Sequence, residues 1–320
     1  MDTRKVQITG KSTYIVTLPK KWATMAQLES GSPVSMLYNE DGSLLIMPPA
    51  IKISKDIRKI KADKNVEQLK RDIIGLYIVG KYNTIEIQGP NISKEIRNGV
   101  KDLCKHLVGF EIVENMKSGI VIQNYLDTDE FTIQKGLKRM SSLVYLMLDE
   151  LIMAFDGNDP SICKDIINRD DDIDRMFLLV SKQYVERLNF QRLSKNDNLS
   201  MIQAFYHRLA AGSVERIGDH ISKIALHVEY TEMSDDARAS MSEICHELQT
   251  IFMDAMESLR ESNNSLANDV LTKAEEFNSK LVIAGQLSTD GSLEIIIDSF
   301  SRIRDYASNI AEHAIDLSQL

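Results

Sequence analysis

The spacing of hydrophobic and polar positions changes period along this chain, and each change predicts a different kind of element. Over residues 1–50 the period is two. "KVQITG" sets Val6 and Ile8 against Gln7 and Thr9, and "TYIVTLP" alternates Tyr14, Val16 and Leu18. Such alternation predicts half-buried strands. "KKWATMAQL", after Pro19, predicts a short helix. "PVSMLYNEDGSLLIMP" predicts a hairpin turning at Asp41-Gly42, which supply positive φ, and Pro48-Pro49 closes the unit.

Residues 51–128 mix periods. "IKISKDIRKIKADK" reads as a mixed-charge connector, "NVEQLKRDIIGLYIVG" as a helix, "TIEIQG" as a strand, and "NISKEIRNGVKDLCKHL" as a helix capped by Ser93. "FEIVENMKSGIVIQNY" reads as a hairpin around Lys117-Ser118-Gly119, so a small α/β region is expected. Its glycines fall too far apart to form a phosphate-cradling loop.

From residue 129 to 320 the pattern is helical almost throughout. Breaks at "DGNDPS", "SKNDN", "YTEMSDD", "ESNNS" and "LSTDGS" divide it into six helices, with starts expected at Asp159-Pro160 and at Ser234 to Asp236. "SVERIGDHISKIALH", Ser213 to His227, returns as "SFSRIRDYASNIAEH", Ser299 to His313, at a constant offset of 86 with eight of fifteen residues identical. That offset aligns the third helix with the sixth and predicts two three-helix bundles, 129–231 and 232–320.

Composition narrows the class. A 320-residue chain with 43% hydrophobic residues has enough apolar material for two or three folded domains. No apolar run approaches the roughly 20 residues that cross a bilayer, and "MDTRKVQITG" has no signal-peptide apolar region, so a cytoplasmic protein without a membrane span is expected. Cys104, Cys163 and Cys245 are odd in number and widely spaced, which fits free thiols in a reducing compartment. Charge is uneven. Residues 1–25 carry Arg4, Lys5, Lys11, Lys20 and Lys21 against Asp2, a net +4, so the rest of this −9 chain carries −13. A basic head on an acidic body matches what a nucleic-acid contact at one end requires. Fifty residues also bury too little surface to fold comfortably alone, so the head is expected to pair with a second copy.

The acids form the other chemical pattern. Glu215 and Asp219, four apart on one helix, place their β-carbons roughly 5–6 Å from each other. One helix earlier, Asp170 and Asp174 in "NRDDDIDRMFLLV" repeat the spacing. If the two helices lie antiparallel, four carboxylates converge, and oxygen clusters suit hard cations such as Mg²⁺, Ca²⁺, Mn²⁺ or iron. Aligning "KAEEFNSKL" so that Phe277 matches Ile173 puts Ala274 and Asn278 at Asp170 and Asp174, and Ser301 stands for Glu215. Three of the four acids are therefore missing from the second half, where Asp305 alone is retained.

Two resemblances follow from these residues. "RKVQITGKSTYIVTLPKKWA" with "GSPVSMLYNEDGSLLIMP" resembles the AbrB/SpoVT/MazE swapped-hairpin DNA-binding domain. This implies a homodimer formed through the head, with Arg4, Lys5, Lys11, Lys20 and Lys21 facing DNA. The family's frequent Gly-Arg pair is here Gly10-Lys11, which favours phosphate contacts over bidentate base reading. "VERIGDHISKIA", echoed by "RIRDYASNIAE", resembles the signature of the PhoU phosphate-uptake regulators, a pair of three-helix bundles whose acidic motifs bind multinuclear metal clusters. It implies a divalent metal or iron cluster at Asp170, Asp174, Glu215 and Asp219, and a role in repressing phosphate transport.

The expected architecture is a multidomain α+β chain. A swapped-hairpin β domain (1–50) is followed by a small α/β region (51–128) and an all-α PhoU-like domain of two three-helix bundles (129–320). The expected function is a DNA-binding transcriptional regulator of phosphate homeostasis that is not an enzyme. A phosphate transporter or sensor-kinase component is an expected partner. Alternatives are an adaptor that docks on a phosphate transporter component without DNA binding, and a metal-dependent phosphatase. The last lacks an obvious nucleophile or general base beside the acids.

Overall fold

A computed structural model of the chain describes residues 3–38, 42–48, 57–126, 131–157, 160–188, 199–231, 233–285 and 291–320. The chain divides into two compact units, Met1–Asp56 and Ile57–Leu320.

In the first unit β1 (Gln7–Thr9) pairs antiparallel with β2 (Thr13–Ile15), setting Ile8 opposite Tyr14 across a turn in which Gly10 has φ +67°. Pro19 precedes α1 (Lys20–Met25), where a ring-fixed φ near −60° suits a helix start. β3 (Ser35–Tyr38) and β4 (Leu44–Met47) form the second hairpin. Gly42, with φ +79°, belongs to the expected turn, whereas Asp41 and Pro49 lie outside the described residues. Among the described residues the two hairpins share no strand pairing. Ala26 is the sole buried apolar residue among the described residues of this unit. Ile8 is 63% exposed and Tyr14 is 73% exposed, and Val6, Val16 and Met36 are exposed as well.

The second unit begins with β5 (Ile57–Lys61), α2 (Val66–Val79), β6 (Thr84–Gln88), α3 (Lys94–His106), β7 (Phe110–Met116) and β8 (Gly119–Asn124). The sheet order is β5-β6-β8-β7, with β5 parallel to β6 and the other pairs antiparallel. The expected connector over 51–64 is corrected here, since Ile57–Lys61 is an edge strand. Edge strands keep one side and most of one face in water, so lysine and arginine are favoured there and mask the alternation. Asn65 and Ser93 cap α2 and α3, accepting from the amides of Gln68 (2.8 Å) and Ile96 (3.2 Å). Ile85, Ile87, Ile120 and Ile122 face Leu69, Ile73, Tyr77, Val100 and Leu103 in the core of this region.

The helical body follows. Among the described residues it comprises α4 (Ile133–Gly157), α5 (Pro160–Leu188), α6 (Met201–Tyr230), α7 (Asp235–Glu261), α8 (Asn264–Gly285) and α9 (Gly291–Leu317). Ser234 caps α7 through the Ala237 amide (3.2 Å), and Ser200 closes a capping box with Gln203 at the start of α6. One continuous core runs through all six helices. α6 packs against α9, and the rings of His220 and Tyr306 stand 5.9 Å apart between them. These two residues are repeat mates, 86 positions apart. A residue touching its own mate marks a pseudo-two-fold axis, as at an isologous interface. The bundles are thus related by a local two-fold running between α6 and α9.

α5 also carries the α/β region. Lys182, 1% exposed, lies over the rings of Tyr77 (4.7 Å) and Phe110 (5.2 Å), which meet edge to face. Gly80 ends α2 at φ +69°, which favours glycine, and a β-carbon there would lie 2.6 Å from Cγ of Glu186 and force that side chain to shift. α3 adds a second contact to α5, where His106 Nδ1 stands 4.0 Å from Asp171 Oδ1.

Candidate functional site

The acidic cluster sits at the seam of α5 and α6. Ile166 and Ile173 on α5, with Val214, Ile217, Ile221 and Ile224 on α6, are fully buried and fix the rotation of both helices. Glu215 and Asp219 then fall at the edge of the seam on the side that Asp174 approaches from α5. One carboxylate oxygen from each of Asp174, Glu215 and Asp219 lies within 4.8 Å of the other two. The expected fourth acid, Asp170, is offset one turn along α5. Its Oδ1 is buried with no hydrogen-bond partner among the described residues. Gly218 makes the approach possible, since a β-carbon there would lie 2.8 Å from Ile173 Cδ1 and 3.1 Å from Asp170 Oδ1.

Electrostatics mark the cluster as under strain. The Asp170 carboxyl is pushed up to about 7, first by burial and then by Asp219, Asp174, Asp171 and Glu215. Glu215 is likewise pushed up to about 7 by burial, then by Asp219 and Asp174, with Arg216 and Arg208 pulling it back. Asp174 and Asp219 are raised by burial too. For Asp174, Asp219 and Asp171 add to the rise and His106 opposes it, and for Asp219, His220 and Arg216 oppose it. Like charges held this closely must take up protons or a cation. The donors are all carboxylate oxygens, and a buried oxygen without a partner lies beside them, which suits a hard cation. Asp174, Glu215 and Asp219 are the residues that would hold it, with Asp170 adjoining.

The spacing of the acids does not point to three further neighbours. His106 reaches the cluster's rim from α3, 65 or more positions away in the chain. Arg208, whose guanidinium stacks 4.3 Å from the Phe177 ring, has a favourable charge interaction with Glu215. Gly218 could have been noticed, because its repeat mate is Arg304, a drastic change next to a retained aspartate.

In the head, Arg4 and Lys5 precede β1, Lys11 lies in the β1–β2 turn, and Lys20 and Lys21 open α1. All five are exposed.

Comparison with known proteins finds likenesses for two stretches of the chain. The PhoU domain profile matches residues 137–228, the stretch that contains all four acids. The profile of the MazE antitoxin family, an antidote-toxin recognition domain of bacterial antitoxins, matches residues 7–54. Among solved structures, PhoU from Pseudomonas aeruginosa is similar at 22% identity and a TM-score of 0.52, over 58% of this chain and 95% of its own. The phosphate transport system regulatory protein PhoU from Streptococcus pneumoniae is similar at 18% identity and a TM-score of 0.50, over 58% of this chain and 92% of its own. At these identities the likeness is one of fold. No curated protein matches. Among the described residues no helix is long and apolar enough to cross a membrane.

Proposed function

We propose that this chain is a homodimeric, DNA-binding transcriptional regulator of phosphate homeostasis, in which the MazE-type head grips DNA and the PhoU-type body senses. It is read as a regulator and not as an enzyme. The observation that carries the reading is the joining of these two domain types in one chain, with five exposed basic residues against one acid in residues 1–25 of the head. Arg4, Lys5, Lys11, Lys20 and Lys21 are exposed and can reach phosphates. The coreless head supports pairing, because large apolar side chains such as Ile8 and Tyr14 lie open where a second copy can cover them.

The body holds its ligand at Asp174, Glu215 and Asp219, with Asp170 alongside. A divalent cation or iron cluster there supplies positive charge that offsets the crowded carboxylates. The residues of the chain contribute oxygen donors, the close approach at Gly218, and a rim histidine, His106, on the α/β region. A signal can pass from this seam through α5, which carries Asp170 and Asp174 near its middle and, further on, the Lys182 and Glu186 contacts to the α/β region. A phosphate transporter or sensor-kinase component is the expected protein partner of the body.

Gel shifts of the full chain on DNA at stepped salt concentrations test the head. Binding through about four or more phosphate contacts gives a steep linear fall of log affinity with log salt. A flat response between low and physiological salt contradicts it.

A further inference from the structure

The second half of the body departs from the first at the position where the first is most constrained. Gly218 allows α6 to close on Asp170, and its repeat mate on α9 is Arg304. In the register that sets Phe277 on Ile173, buried Ala274 stands for Asp170, so a small-plus-acid pair in one half is a large-cation-plus-small pair in the other. The Arg304 side chain is 12% exposed and does not extend into solvent. It folds back along α9, where Nε donates to Asp305 Oδ1 (3.1 Å), Nη2 donates to the same oxygen, and Nη2 also donates to Ser301 Oγ (3.2 Å). Ser301 and Asp305 are the repeat mates of Glu215 and Asp219. The guanidinium therefore sits on the two positions that correspond to the acid pair of the first half.

We propose that Arg304 is a tethered cation filling the second half-site, so that the chain takes up metal in its first bundle alone. The charge balance agrees. At the aligned positions the first half gathers Asp170, Asp174, Glu215 and Asp219, whereas the second keeps Asp305 alone and lays the Arg304 guanidinium on it. A planar guanidinium is always charged and supplies fixed donors, so this half needs no ion and cannot be switched by one. The two bundles meet across the local two-fold beside His220 and Tyr306, and the chain thus compares a switchable half with a permanently cation-loaded one. The inference rests on the reading that the first half binds metal.

The experiment counts bound Mn²⁺ per full-length chain after equilibrium dialysis. Two graft variants are compared, both carrying Asn278→Asp and Ser301→Glu, which restore the acids aligned with Asp174 and Glu215. One keeps Arg304 and the other adds Arg304→Gly. Wild type is expected to lose all its Mn²⁺ in the Glu215→Gln/Asp219→Asn double variant. The graft that keeps Arg304 should bind as wild type does, and the graft with Arg304→Gly should gain a second class and bind about twice as much. If the Arg304→Gly graft does not fold, as judged by helical circular dichroism, Arg304→Gln replaces it, keeping length while removing charge.

The proposal is overturned if wild type retains metal that only Asp305→Asn removes. It is equally overturned if the graft gains metal with Arg304 in place, or gains none without it. Wild type that binds no Mn²⁺ at all sinks the first-half reading instead, and the paired grafts still report on Arg304.

Discussion

Replacing Glu215 by glutamine should raise the stability of the metal-free protein while abolishing its response to metal. Folding lifts the Glu215 carboxyl from 4.5 to about 7, so the folded chain holds that proton more tightly than the unfolded chain does. Stability then falls as pH rises through that window, because the ionised acid is disfavoured by burial and by Asp219 and Asp174. Each unit of such a shift corresponds to about 1.4 kcal/mol. Glu215 is only half-buried, and solvent screening reduces the full figure to about 1–2 kcal/mol. Glutamine removes that cost with nearly the same shape. At pH 8 the variant should melt about 2–5 °C above wild type, and at pH 4.5 the two should coincide. Added Mn²⁺ should raise the wild-type melting temperature and leave the variant unmoved. Differential scanning fluorimetry at the two pH values, with and without Mn²⁺, measures all of this. A variant less stable than wild type at pH 8, or one that keeps the full Mn²⁺ response, would refute the reasoning.

Other perturbations have equally definite signs. Gly218→Ala improves helix propensity by about 1 kcal/mol but drives a methyl to 2.8 Å from buried Ile173, an overpacking cost of about 1–3 kcal/mol, so calorimetry should show a net loss of stability and dialysis a weaker Mn²⁺ affinity. Lys20→Ala with Lys21→Ala should weaken DNA binding about equally for all sequences and reduce the slope of the salt dependence, as read from gel shifts. Ile8→Glu, which puts a charge on an apolar patch of the head, should shift sedimentation toward monomer without changing the helical content of the body.

Much of the helical body was legible because its punctuation is local. Ser234 announces the start of α7 through its own hydroxyl, as Ser93 does for α3 in the α/β region, and the breaks contain residues that disfavour helices. The 86-residue offset announced the doubling, and the contact between His220 and Tyr306 shows how the halves meet. What stayed hidden depends on partners remote in the chain. β5 was obscured because Arg58, Lys59 and Lys61 dominate its composition, and its strand character comes from pairing with β6. Buried Lys182 reads as a surface lysine until Tyr77 and Phe110 are brought over it. At the acidic seam, the four-residue spacings pair Asp170 with Asp174 and Glu215 with Asp219, and the packing of α5 on α6 brings Asp174 to the second pair. The one-turn offset of Asp170, the rim position of His106 and the folding of Arg304 onto Asp305 are properties of helix packing that no spacing encodes.

The central claim is that a DNA-gripping head is governed by a phosphate-sensing body. Genome-wide footprinting of the protein in cells grown with ample phosphate and with scarce phosphate tests it most directly. The account predicts occupancy concentrated at promoters of phosphate-transport genes and changing with phosphate supply. Uniform occupancy, or occupancy indifferent to phosphate, would contradict it.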